Sequence, residues 1–119
     1  MASITVFHNP NCSKSRGACS ILGERGVEFD SVQYLKTPPT RDEIVALLGI
    51  LDDPPAALVR KDPYFRELGL DAADYETVDA VADLLAEHPR LMERPVIVKD
   101  GRAVIGRPPE RVLELLEPD

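Results

Sequence analysis

The chain has 119 residues, 44% hydrophobic and 29% charged, the profile of one globular domain that can bury a core without disulfide or metal staples. Its 21 acidic and 14 basic residues leave a formal charge of −7, which argues against nucleic acid as a partner, because a phosphate backbone needs a basic face. No run approaches the ~18 apolar residues of a membrane span, and Met1-Ala2-Ser3 leads into a strand without a basic-then-apolar leader, so the expected location is the cytoplasm.

Ile4-Thr5-Val6-Phe7 reads as a first strand, stopped by Pro10. Ala18, Ile21 and Leu22 then recur with helical spacing up to Gly26, and Glu28 to Leu35 reads as a second strand. A strand, helix, strand start predicts a parallel pair joined by a crossover. Thr40 and Glu43 have the spacing of a capping box, followed by Ile44, Leu47, Leu48 and Leu51 on one helical face. Asp53-Pro54 reads as the cap and first residue of a short helix to about Val59. Asp62-Pro63 opens another helix ending near Gly69, and Thr77 caps a third that stops before Pro89.

Beyond Met92 the period returns to that of a strand. Val96-Ile97-Val98 and Ala103-Val104-Ile105 flank Asp100-Gly101, a strong two-residue hairpin turn, and Pro108-Pro109 opens a last helix with Val112, Leu113, Leu115 and Leu116. The order βαβ, helical block, ββα predicts an α/β fold: a four-stranded mixed sheet with its first and last helices packed on it and a helical insertion at about 40–90.

The chemistry centres on His8-Asn9-Pro10-Asn11-Cys12-Ser13-Lys14-Ser15-Arg16. Cys12 falls between strand and helix, where unpaired N–H groups and the helix dipole favour a thiolate or a bound oxyanion. A lone cysteine is otherwise a partly buried structural thiol; the polar Asn11, Ser13 and Ser15 and the cationic Lys14 and Arg16 favour the nucleophile. His8 reads equally as a charge beside the site or as a structural residue. Cys19 falls among apolar residues and reads as a small hydrophobe. On one helix it would lie ~10 Å along the axis from Cys12, too far for a disulfide. With cysteine absent from position 15, where Ser15 stands, there is no local dithiol; with Ala18 rather than arginine, no phosphatase-type loop. Two cysteines also exclude a structural four-ligand zinc site, and no metal is expected. The thiol must therefore be resolved from outside, with small-molecule thiols as candidates.

Three arginines lie just outside the predicted elements: Arg60 after the short helix, Arg94 before Pro95, and Arg107 between the hairpin and the last helix. Singly each is an ordinary surface charge. Arg94 and Arg107 flank the two C-terminal strands and could meet at one edge of the sheet, where guanidinium forks would bind a tetrahedral oxyanion beside a thiolate.

These motifs resemble the ArsC family of glutaredoxin-linked arsenate reductases, which have a thioredoxin-like fold. The resemblance runs from Ile4 to about Leu116 and is carried by the Cys12 segment, by Tyr34-Leu35-Lys36-Thr37-Pro38-Pro39 with Thr40-Arg41-Asp42-Glu43, by Leu58-Val59-Arg60-Lys61, by His88 to Pro95, and by Ile105-Gly106-Arg107-Pro108. It implies a single thioredoxin-like domain over residues 1–119, with Cys12 attacking arsenate and Arg60, Arg94 and Arg107 binding the oxyanion. Glutathione would then act as cosubstrate without any tightly bound cofactor, glutaredoxin would complete the reduction, and His8 and Ser15 would help hold the thiolate, beside the supporting Asn11 that the local pattern nominates. It also implies a cis Arg94-Pro95 bond. The chain stops at Asp119 without the tail that longer reductases carry. The family is related to Spx-type regulators, which bind RNA polymerase and sense redox state through a Cys-x-x-Cys pair. Ser15 opposes a dithiol sensor and leaves open a monothiol regulator or a monothiol oxidoreductase acting on glutathione-containing substrates.

Overall fold

The computed structural model describes residues 4–116; the lead-in Met1–Ser3 and residues 117–119 lie outside them. The described residues form two compact units, residues 4–37 with 94–116, and Pro38–Glu93.

The first unit is an α/β layer pair. Strand β1 (Ile4–His8) leads into helix α1 (Ser13–Glu24) and strand β2 (Asp30–Gln33); strands β3 (Val96–Lys99) and β4 (Arg102–Ile105) form the hairpin. The sheet order is β2-β1-β3-β4, with β2 parallel to β1 and the other pairs antiparallel. This is the four-stranded mixed sheet that the element order predicts. Alternation along the strands sends Ile4, Val6, Ile97 and Val104 to one face, where they meet Ala18 and Leu22 of α1 and Val112 and Leu115 of the C-terminal segment. Burial of these side chains at about 1.5–3 kcal/mol each is the main force holding the layers together.

Turn chemistry fixes the ends of these elements. Gly26, at φ 67°, closes α1 with Gly26 N–H to Gly23 O and Val27 N–H to Leu22 O, the paired bonds of a Schellman cap. Asp100 and Gly101 both take positive φ, as a two-residue turn of type I′ requires. Gly106 has no room for a side chain: a Cβ there would lie 2.7 Å from Pro95 Cγ and 3.0 Å from Ile97 Cδ1.

Strand β2 is shorter than the expected span of residues 28–35. The five residues of β1 pair only from Thr5↔Asp30 to His8↔Gln33, and Lys36 N–H turns back to Gln33 O at 2.9 Å. The last helix also begins differently, as a 3₁₀ turn over Pro109–Val112 that becomes α5 (Leu113–Leu116). Pro108 stands outside it in an extended conformation, because a residue before proline is pushed out of the helical region.

The second unit is helical: α2 (Arg41–Ile50), α3 (Pro63–Glu67) and α4 (Val78–Glu87), with 3₁₀ turns at Pro55–Leu58, Ala72–Asp74 and Pro89–Leu91. The capping box forms in both directions, Glu43 N–H to Thr40 Oγ1 at 3.2 Å and Thr40 N–H to Glu43 Oε1 at 2.8 Å. Asp53-Pro54 does not open a helix as expected; Pro54 is the extended cap residue and Pro55 the first helical one, again because proline follows. Helices α2 and α4 pack together through buried Ile44, Leu47, Leu48, Val81, Leu84 and Leu85. Arg60 N–H to Leu91 O and Glu93 N–H to Leu58 O tie the two chain segments that bracket the unit's end.

Candidate active site

Cys12 is the N-cap residue of α1, extended at φ −104° and ψ 123°, and is only 9% exposed. Burial is the largest influence on its thiol and opposes ionisation. The backbone N–H of Ser15, the Arg94 guanidinium and the backbone N–H of Lys14 together outweigh it and bring the pKa down to about 7. The sulfur closes no regular capping hydrogen bond; the first N–H groups of the helix act on it as oriented dipoles. The thiolate is therefore accessible at neutral pH.

The two arginines that bracket the hairpin converge on this sulfur. Arg107 Nη2 lies 3.7 Å from Cys12 Sγ, while Arg107 Nε donates to the Arg94 carbonyl at 2.9 Å. Antiparallel pairing explains the meeting: the start of β3 and the end of β4 fall together at the C-terminal end of β1, with Val96 opposite both Phe7 and Ile105. The peptide bonds Arg94-Pro95 and Arg107-Pro108 are both cis; the resemblance implied the first, and nothing in the sequence marked the second.

The loop before Cys12 is built by its amides. Asn9, nearly buried, accepts from Asn11 N–H through Oδ1 at 3.0 Å, and its own N–H donates to Ser15 Oγ at 3.3 Å. Cys12 N–H returns to Asn9 O at 2.9 Å, and Arg16 Nη1 donates to Pro10 O at 2.8 Å. Ser15 thus has two roles, a buried hydroxyl that holds the loop and an N–H that favours the thiolate. Asn11 joins the loop through its backbone. Asn9 was missed as a site residue; the signal was available in an Asn-Pro-Asn triplet directly before the cysteine.

His8 meets the second cysteine. Its Nδ1 lies 3.7 Å from Cys19 Sγ, and burial followed by the charge of Arg16 holds its pKa below the ordinary value. Both influences favour the uncharged imidazole. Cys19 is half-buried, packs against the sheet core, and is pushed up by burial. Beside this pair lies a cleft of about 270 Å³ lined by His8, Asn9, Pro10, Asn11, Gln33, Leu35 and Lys36.

Arg60 belongs to the helical unit, where its Nε donates to Asp62 Oδ2 at 3.0 Å and its Nη1 lies 3.8 Å from Glu93 Oε1. Asp62 also caps α3, accepting from Phe65 N–H at 3.1 Å. Burial raises its carboxyl, but the Phe65 N–H and Arg60 outweigh that and leave its pKa below the usual carboxylate range. Among the described residues no cluster of three or more His, Cys, Asp or Glu side chains is arranged to hold a metal ion, and no helix is long and apolar enough to cross a membrane.

Comparison with known proteins covers this whole region. The ArsC family model matches residues 7–115. The arsenate reductase of Neisseria meningitidis serogroup A is 42% identical over 118 residues, spanning 98% of this chain and 100% of that protein. The uncharacterized protein YfgD of Escherichia coli K12 is 41% identical over 115 residues, 95% of this chain and 96% of its own length. The structure of an arsenate reductase from Vibrio cholerae, 38% identical, superposes with a TM-score of 0.85 over 96% of this chain and 98% of that one. With the match running from the last residues of β1 through Cys12 and both arginines to α5, the chain belongs to the ArsC family.

Proposed function

We propose that the protein is a cytoplasmic arsenate reductase that uses Cys12 as nucleophile, glutathione as cosubstrate and glutaredoxin as the final thiol donor. The observation that carries this reading is the Cys12 thiol at the start of α1, with a pKa of about 7 and the Arg107 guanidinium 3.7 Å from its sulfur. A thiolate repels an anionic substrate. Arg94 and Arg107 offset that repulsion and stabilise the charge that accumulates on the oxygens as sulfur attacks. Arg60 enters this reading as a third oxyanion ligand on the family resemblance.

In the first step Cys12 S⁻ attacks As(V), an S–As bond forms, and one arsenate oxygen leaves as water after protonation. Glutathione thiolate displaces a second oxygen in the same way. A glutaredoxin thiolate then takes the glutathione sulfur, forming a mixed disulfide. The electron pair of the broken As–S bond stays on arsenic, which becomes As(III). Water cleaves the remaining Cys12–As bond, regenerating the thiol and releasing arsenite. Arsenate and phosphate share shape and charge, so the arginines bind either, and only arsenic is reduced by thiols.

The test is arsenite production by purified protein with glutathione, glutaredoxin, glutathione reductase and NADPH, beside Cys12→Ser. Arsenite that depends on Cys12 and on both thiols is the expected result. No arsenite, with Cys12 still alkylated rapidly, would overturn the reductase reading and direct attention to monothiol exchange on glutathione conjugates. Co-purification with RNA polymerase that survives Cys12→Ser, without turnover, would favour an Spx-like binding role.

A further inference from the structure

We propose that the cleft lined by His8, Asn9, Asn11, Gln33 and Lys36 binds a carboxylate of the small thiol that resolves the Cys12 adduct. The inference rests on the reductase reading for the identity of the thiol and on the cleft's own chemistry for the carboxylate.

The lining is biased toward donors. Lys36 is its cation, and no carboxylate is among its residues, in a protein whose formal charge is −7. Asn9 has spent its oxygen on Asn11 N–H at 3.0 Å, which leaves its NH₂ group to offer. His8 lines the same cleft, with its Nδ1 3.7 Å from Cys19 Sγ. An ammonium and amide N–H groups together call for an acceptor-rich anion. Pro10 and half-exposed Leu35 add apolar walls for the carbon chain that bears it. A volume of about 270 Å³ accommodates one end of a small peptide.

Position supplies the second argument. In sheet order β2 and β3 lie on opposite sides of β1. Arg94 and Arg107 reach Cys12 from the β3–β4 side, whereas the cleft lies on the β2 side, at the ends of β1 and β2, and includes Asn11, the residue directly before the nucleophile. An oxyanion held by the arginines leaves this side open to a second reactant.

The test uses two readouts on the full chain. In the arsenate assay, Lys36→Glu should raise the KM for glutathione about tenfold and leave the KM for arsenate unchanged. Glutathione diethyl ester, whose carboxylates are masked, should show a KM insensitive to the same substitution. By NMR, unreactive S-methylglutathione should shift the amides of Asn9, Asn11, Gln33 and Lys36 in the wild type and not in Lys36→Glu. Arsenate turnover with an unchanged glutathione KM in Lys36→Glu would overturn the cleft assignment and leave the reductase reading intact. Without turnover the NMR decides alone: shifts at the cleft sustain it against a failed reductase reading, and shifts elsewhere or none overturn it.

Discussion

The two cysteines sit on one helix seven residues apart and are driven in opposite directions. Burial disfavours both thiolates. At Cys12 the first N–H groups of α1 and Arg94 overcome it, and the pKa falls to about 7; at Cys19, about two turns further along the helix and beside the His8 imidazole, burial pushes the pKa up. Reactivity in this protein is therefore a property of place. The helix terminus supplies unpaired donors that its interior has already used, and the open end of the hairpin brings Arg94 and Arg107 to it.

That contrast can be broken most severely by exchanging the sulfur. Cys12→Ser should abolish arsenite formation while leaving the fold intact, whereas Cys19→Ser should retain turnover; equal loss in both would remove the distinction. Next in size are the cations. Arg94→Ala and Arg107→Ala should each cost about 2–4 kcal/mol in kcat/KM for arsenate. Arg94→Ala should in addition move the Cys12 titration upward, since Arg94 favours the thiolate.

A smaller effect is expected from the turn that aims Arg107. Gly106→Ala places a methyl 2.7 Å from Pro95 Cγ, which should destabilise the fold by about 1–3 kcal/mol and lower the melting temperature. If Gly106→Ala melts like the wild type, the hairpin end is looser than the packing implies. Smallest is Thr40→Ala, remote from both sulfurs. It removes one side of the capping box and should cost about 1 kcal/mol by denaturant unfolding, without any change in Cys12 reactivity.

The elements most readable in the sequence were those governed by local chemistry. Thr40 with Glu43, Asp100-Gly101, Gly26 after α1 and Thr77 before α4 each act through bonds to residues a few positions away, and each appears where its residue type placed it. What escaped depended on partners distant in the chain. The length of β2 is set by how much of β1 remains to pair, and the first residues of the 3₁₀ turns at Pro55 and Pro109 are set by a second proline whose effect on its predecessor a cap-and-proline pattern overlooks.

The site divides along the same line. Cys12 at a helix start was legible because strand and helix patterns meet there, and hairpin pairing made a meeting of Arg94 with Arg107 one possible arrangement. The partnership of His8 with Cys19 was not legible. It joins the end of β1 to the second turn of α1, and the lowered pKa of His8 comes from burial and Arg16, which the local pattern does not show. The clamp on Arg60 is similar: Asp62 is near in sequence, but Glu93 is brought to it by the pairing of Val59 with Met92.

The most direct measurement is the pH dependence of alkylation at each cysteine, read separately by mass spectrometry of the folded protein. The thiolate is the reactive form, so alkylation of Cys12 should be half-maximal near pH 7 and fall about tenfold per unit below it, with Cys19 reacting only well above that range. A Cys12 midpoint at or above that of Cys19 would contradict the claim that the start of α1 and its arginines make this thiol the nucleophile.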